Sequence, residues 1–302
     1  MRMLRCAAAV AAALSCLAVG PAVAGAALPV IYNFPTAIAA SAIDPGGSPA
    51  GANDWSCRPS AAHPRPVVLV NGTFANQITS WNALSPLLKN NGYCVYTFNY
   101  GGMFLGQIGA YGPVADSARE LASYVTKVKS STGAAKVDLV GWSQGGMMPR
   151  YYLKNLGGAS SVDHLVGLAP SNHGTTLSGL ATLAGSFPGA LPLVGALCPA
   201  CTDQLKGSPL ITALNAGGET VPGVKYTVIQ SRYDEVVTPY TSAFLSGPGV
   251  KNITIQDKCL LDLGEHLSMP YDHIVDREVL NALDPATARS TLCTPIVPAI
   301  GG

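Results

Sequence analysis

The stretch VDLVGWSQGGMMPRYYL, residues 137–153, constrains this chain more than any other segment. A short apolar run ends at Gly141, Ser143 follows between two glycines, and helical spacing begins at Gln144. A buried strand that turns sharply into a helix holds the turn residue in strained backbone with positive φ, so the residues two positions away must be small. Gly141 and Gly145 meet that demand, and the pattern is that of a nucleophile elbow carrying Ser143. The motif alone is weak. With 33 glycines in 302 residues, G-x-S-x-G arises by chance roughly 0.3 times, and a plain turn would explain it. The surroundings have to decide.

Those surroundings alternate. Residues 67–70 are a short apolar run of the kind buried in a parallel sheet. Helical spacing follows over 78–89 and stops at Asn91-Gly92, then a strand over 93–98. Pro113 opens a helix to about residue 130, with Ala118, Leu121, Val125 and Val128 on one face. A strand at 136–140 precedes Ser143 and a helix over 144–154 follows, loosened near its start by Pro149. Further strands are expected at 165–169, 226–230 and 253–256, and a last helix over 272–283. Strands alternating with helices predict an α/β fold: a mostly parallel central sheet flanked by helices.

Two segments depart from that rhythm. Residues 25–65 are rich in Pro, Gly and Ala without clear period and read as an extended arm over one domain of residues 25–302. Residues 174–222 are apolar, rich in Gly, Pro and Leu, and poor in charge. So long an excursion between strands is more than a connector, and we read it as a cap over the C-terminal edge of the sheet. An ordinary helical decoration packed on the core is the competing reading.

The chain opens with Arg2 and Arg5, an apolar run from Cys6, Pro21 and then Ala22-Val23-Ala24, which reads as a signal peptide over residues 1–24. A lipid-attachment site at Cys16 fits less well, because Leu14 stands one position off. The expected location is therefore extracellular or at the cell envelope, with no membrane-spanning segment in the mature chain. Losing two arginines changes the net charge from +1 to −1, and no basic stripe suggests nucleic acid. Charged residues make up 12% of the chain, against about 25% in an average protein, which suits work near apolar material. Beyond the signal, six cysteines remain, and an even number in an exported chain reads as disulfides. The favoured pairs are Cys57–Cys94, Cys198–Cys201 and Cys259–Cys293. A zinc or redox role for Cys198 and Cys201 is the alternative, although zinc needs further ligands and no second C-x-x-C exists.

A nucleophilic serine needs donors for the developing oxyanion, a base and an orienting acid. One donor is the N–H of Gln144 at the helix start. The other is expected from the loop after an early strand, and Val70-Asn71-Gly72-Thr73 places the N–H of Thr73 there, with its hydroxyl as a possible third donor. Asn71-Gly72-Thr73 is also a formal glycosylation sequon, unusable at a buried strand end. In an elbow of this type the acid and then the histidine follow the serine along the chain. Asp234, in the loop after the 226–230 strand, is the candidate acid, with Glu235 as understudy and a solvated surface carboxylate as the plain reading. His63 and His164 lie at the wrong edge of the sheet, and His173 precedes the acid. His266, in a loop before the final helix, is preferred as base over His273, which opens that helix.

With these residues in view, the chain resembles the secreted triacylglycerol lipases and esterases of actinobacteria, in the α/β-hydrolase superfamily, and more distantly the fungal lipase B type. The resemblance is carried by GANDWSCRPS, HPRPVVLVNGTFAN, VDLVGWSQGGMMPRYYLKNLGG, SNHGTTLSG, SRYDEVVTPY and GEHLSMPYDHIVDREVLNALDP, across residues 51–285. It implies an α/β-hydrolase fold, Ser143 as nucleophile, Asp234 as acid, His266 as base, oxyanion donors at Thr73 and Gln144, and the Cys57–Cys94 bond. Relatives often carry His or Pro before the oxyanion glycine, where this chain has Asn71. The implied reaction is hydrolysis of acyl esters such as acylglycerols, with lipid as substrate and passing contact with lipid surfaces. No metal or organic cofactor is required. An acyltransferase with the same three residues, or a non-catalytic surface protein with this fold, are the rivals.

Overall fold

The computed structural model describes residues 26–194 and 197–302, so the signal-peptide reading lies outside the described residues. In chain order the main elements are α1 (Phe34–Ile43), β1 (Val67–Val70), α2 (Gln77–Trp81), α3 (Leu84–Asn90), β2 (Val95–Thr97), β3 (Met103–Phe104), β4 (Ile108–Gly109) and α4 (Val114–Thr132). The chain continues through β5 (Val137–Trp142), α5 (Gln144–Asn155), β6 (Val162–Leu168), α6 (Leu177–Gly185), α7 (Pro199–Asp203), α8 (Pro209–Asn215), β7 (Lys225–Gln230), β8 (Val250–Thr254) and α9 (His273–Leu283).

Six strands form one sheet in the order β2-β1-β5-β6-β7-β8, and every neighbouring pair is parallel. The central strands are apolar on both faces because helices cover both: Val67–Val70 and Val137–Trp142 are buried at every position. Strand order reverses direction between β1 and β5. At such a switch point the loops leave in opposite directions and open a crevice at the carboxyl ends of the strands. Ser143 follows β5 and Thr73 follows β1, so both stand at that crevice.

Two local expectations change, and the helix after the serine stands as expected. The arm is not wholly extended, since α1 interrupts it. Asn33 caps that helix by accepting from the Thr36 N–H, and a proline sits in its first turn. Beyond its first turn the outward face carries Ala39, Ala42 and Ile43 in place of polar residues, which erased the amphipathic signal. The single helix expected over 78–89 is two, α2 and α3. Pro86 cannot donate to the carbonyl four residues back and its ring crowds that carbonyl, so it is accommodated in the first turn of a new helix. The helix after Ser143 runs through Pro149 to Asn155.

The 174–222 excursion holds α6, α7 and α8. Leu180, Leu183, Phe187, Leu193, Ile211 and Leu214 are buried, while Leu177 and Leu191 are exposed. It thus both packs on the core and presents apolar side chains outward. Its first helix lies directly on the loop that follows β7: a Cβ at Gly179 would stand 2.4 Å from the Val236 carbonyl oxygen. The disulfides join Cys57 to Cys94, Cys198 to Cys201 and Cys259 to Cys293. The first ties the arm to the residue just before β2, and the last ties the segment after α9 to the loop after β8.

Candidate active site

Ser143 has φ 56° and ψ −121°, so it sits in the strained turn that its glycine neighbours predict. The reason for those glycines is steric. A Cβ at Gly141 would lie 1.8 Å from the Gly145 carbonyl oxygen, and a Cβ at Gly145 would lie 2.0 Å from that of Val70. The Ser143 N–H donates to the Leu168 carbonyl at the end of β6, 2.8 Å away, which anchors the turn to the sheet.

The loops after β5, β7 and β8 bring three side chains into one hydrogen-bonded line. The Ser143 Oγ lies 3.0 Å from His266 Nε2, and His266 Nδ1 lies 2.9 Å from Asp234 Oδ2. With Nδ1–H donating to the carboxylate, Nε2 is the acceptor for the serine hydroxyl. The other Asp234 oxygen accepts from the Val236 and Val237 N–H groups, each at 2.8 Å. Ser143 is 2% exposed and His266 0%. Burial of the imidazole disfavours its charged form, but the charge and hydrogen bond of Asp234, helped by Glu235 and Glu265, outweigh it and hold the ring above the ordinary histidine value. Glu235, the understudy, makes no hydrogen bond to His266. Partial burial and the neighbouring Glu265 push its carboxyl up to about 7.

Across from this line, the N–H groups of Thr73 and Gln144 have no backbone acceptor among the described residues. Unspent donors at a loop and at a helix start are what an oxyanion would need. Glycine at position 72 lets its loop ride close over the elbow: a Cβ there would meet the Trp142 ring at 3.0 Å and the Ser143 Cβ at 3.2 Å, so those side chains would have to give way slightly. Asn71 is fully buried. Its Nδ2 donates to the Ala75 carbonyl at 2.8 Å, and its own carbonyl accepts from the Tyr100 hydroxyl. That bonding removes Asn71 from the reach of glycosylation and pins the Thr73 loop. The Thr73 hydroxyl donates to Gln144 Oε1 at 2.7 Å, so its single proton is directed at Gln144 rather than into the crevice.

Sequence reasoning missed the residues that hold the loops. Gln256 joins the acid loop to the histidine loop: its Nε2 donates to Ser231 Oγ and the Asp262 carbonyl, and its Oε1 accepts from the Arg232 N–H. Ser231 in turn donates to the Gly264 carbonyl. The Trp142 indole N–H donates to the His266 carbonyl at 3.0 Å, so the residue before the serine steadies the histidine. Arg150, buried on α5, donates to the Glu219 and Asn172 carbonyls and to Asn215 Oδ1, fastening the end of the excursion. No short sequence pattern marks such contacts, because their partners lie far apart along the chain. The other histidines lie elsewhere. His63 stacks on Tyr93, His164 bonds Thr227 inside the sheet, and His173 bridges Glu219 and the Ser242 carbonyl. His273 faces the Gly302 and Leu292 carbonyls. Among the described residues, no group of three or more His, Cys, Asp or Glu is placed to hold a metal.

The chain is similar to known lipases. A triacylglycerol lipase of Pseudarthrobacter phenanthrenivorans is 38% identical over 96 residues, covering 30% of this chain and 28% of that protein. Lipase B of Pseudozyma antarctica is 28% identical over 192 residues, 58% of this chain and 52% of that protein. The chain thus spans about half or less of the length of these curated relatives. Among solved structures, Bacillus licheniformis lipase BlEst2 in mature form superimposes with a TM-score of 0.57 at 16% identity, over 79% of this chain and 96% of that one. Aspergillus fumigatus lipase B gives 0.56 at 21% identity, over 78% and 55%. These likenesses show the α/β-hydrolase fold. Residues 64–269, more than half of the chain, match the family model described as Lipase (class 2), and the chain belongs to that family.

Proposed function

We propose that this protein is a secreted serine ester hydrolase that cleaves acyl esters, acylglycerols among them, through an acyl-enzyme on Ser143. The observation that carries this reading is the buried Asp234–His266–Ser143 line facing two free backbone amides. His266 Nε2 takes the serine proton as Oγ attacks the ester carbonyl carbon. The carbonyl oxygen, now negative, is held by the Thr73 and Gln144 N–H groups. Asp234 fixes the imidazole tautomer and stabilises the imidazolium. The carbon–oxygen bond to the alcohol breaks, and the alcohol leaves with the proton from His266. Water then gives a proton to His266 and attacks the acyl carbon. The acid departs and Ser143 regains its proton.

The excursion 174–222 serves in this reading as a cap within a single domain of residues 25–302, with α6 resting on the acid loop. Apolar side chains exposed on it and on the β3–β4 hairpin, Leu105 at 70% among them, suit an acyl or lipid partner. Three disulfides suit an oxidising compartment, and among the described residues no helix is long and apolar enough to cross a membrane. The test is hydrolysis of p-nitrophenyl esters from C2 to C18 and of emulsified triglyceride by the wild type and Ser143→Ala. The substitution is expected to remove activity by several orders of magnitude. Near-wild-type turnover in Ser143→Ala would overturn the reading.

A further inference from the structure

The Cys198-Pro-Ala-Cys201 motif has no part in the steps above, yet its position is informative. The bond between Cys198 and Cys201 closes a ring around the first turn of α7, and both sulfurs are buried. That ring is anchored outward by the Ala200 N–H, which donates to the Tyr111 carbonyl at 3.0 Å. Gln204 ends the same helix, is 1% exposed, and points its amide at the oxyanion loops. Its Nε2 donates to Thr73 Oγ1 at 2.8 Å and to the carbonyl of Ala200, inside the disulfide ring, at 3.1 Å. Its Oε1 accepts from Ser171 Oγ at 2.9 Å.

The proton count makes this directional. An amide nitrogen has two protons: one is aimed at Thr73 Oγ1, with a longer 3.4 Å contact to Gln144 Oε1 beside it, and the other at the Ala200 carbonyl. The Thr73 oxygen is therefore an acceptor from Gln204, and its own proton goes to Gln144 Oε1. The result is a chain from the disulfide ring through Gln204 and Thr73 to Gln144, fully buried, joining the two residues whose backbone N–H groups face the serine. Of this network only the Gln144 Nε2 lacks a partner; its shared hydrogen bonds restrain the residues they join, and a donor displaced from its aim loses most of its effect on a developing charge.

We propose that Gln204 is a positioning residue that holds the Thr73 and Gln144 amides in register, and that the Cys198–Cys201 bond serves turnover through it. This rests on the oxyanion reading above. Gln204→Met keeps the volume and removes the amide; Thr73→Val keeps the backbone N–H and removes the hydroxyl. In the full-length protein assayed with p-nitrophenyl butyrate, Gln204→Met is expected to lower kcat about tenfold with KM within about twofold. The rate of fluorophosphonate labelling should fall by a similar factor. Because the two side chains act as one chain, Gln204→Met added to Thr73→Val should lower kcat by less than about twofold more. An unchanged kcat in Gln204→Met, or losses that multiply in the double variant, would overturn the role of Gln204. Cys198→Ala/Cys201→Ala should also lower kcat, and should do so no further when Gln204→Met is present. Full kcat in the cysteine variant, or its failure to fold, would overturn the second half and leave Gln204 to be judged by the first pair. If the wild type itself hydrolyses no ester and Ser143 takes no label, the underlying reading fails instead.

Discussion

Gly145→Ala is the most economical perturbation of the elbow. The new methyl would lie 2.0 Å from the Val70 carbonyl oxygen and 2.5 Å from that of Asn71, both backbone atoms with no side-chain freedom to give way. Ordinary contact lies near 3.4 Å, so the start of α5 and the end of β1 must part by more than an ångström. These are the two segments that carry the proposed oxyanion donors. Overpacking of this kind destabilises by about 1–3 kcal/mol. A misplacement on that scale lowers turnover by about 10²-fold. The expected result is therefore a folded protein with a modestly lower melting midpoint and a hundredfold or larger loss in kcat/KM for p-nitrophenyl butyrate. Gly185→Ala is the control, because nothing lies within 4 Å of its added Cβ; its activity should stay within about twofold of wild type. Wild-type kcat/KM in Gly145→Ala would refute the idea that strand and helix are held at contact to aim the amides.

Further expectations concern the base, the acid and the packing behind them. The rate should rise with pH as His266 loses its proton, and since its folded value lies above the ordinary 6.5, the midpoint of the rise should lie above 6.5 too. A profile flat from pH 5 to 9 would exclude a histidine base. Asp234→Asn removes the main influence raising that value and leaves burial, which lowers it. The midpoint should move to lower pH, with kcat reduced roughly 10³- to 10⁴-fold; a midpoint moving upward would contradict the electrostatic account. His266→Ala should be as damaging as Ser143→Ala. His273→Ala, whose side chain bonds the Gly302 and Leu292 carbonyls and the Thr294 hydroxyl and packs edge-on to Tyr32, should retain activity; the reverse order would transfer the base. Arg150→Met strips donors from the buried Asn172 carbonyl and the half-buried Glu219 carbonyl. It should cost about 3 kcal/mol, seen as a drop of roughly 6 °C or more in the melting midpoint; an unchanged midpoint would show that these carbonyls find other partners.

What the sequence made legible was whatever is encoded locally. The 67–70 and 137–140 runs announce buried strands because no polar residue but Asp138 interrupts them. Asp138 is tolerated at the edge of the apolar layer because Arg65 pairs with it at 2.9 Å; burial still pushes its carboxyl up to about 6. The elbow is legible because Gly141-x-Ser143-x-Gly145 stands between a buried strand and a helix that starts at once. The residues of the hydrogen-bonded line were found from chain order and strand ends. Less legible were features decided by packing. α1 has no polar face to reveal it, and the break between α2 and α3 depended on how the chain would accommodate Pro86. β3 and β4 are two residues each, too short for any period to appear. Gln204, Gln256 and Arg150 are polar residues in unremarkable contexts, and their roles emerge only when distant loops meet at the switch point. The Thr73 hydroxyl shows the same limit. Nothing local indicates that its proton is turned toward Gln144.

The most direct test of the central claim is the structure of the protein after reaction with a fluorophosphonate ester. The account predicts a single covalent adduct on Ser143 Oγ, with the phosphoryl oxygen within hydrogen-bonding distance of the Thr73 and Gln144 N–H groups and His266 still bound to Asp234. An adduct on another residue, or a phosphoryl oxygen turned away from both amides, would contradict it.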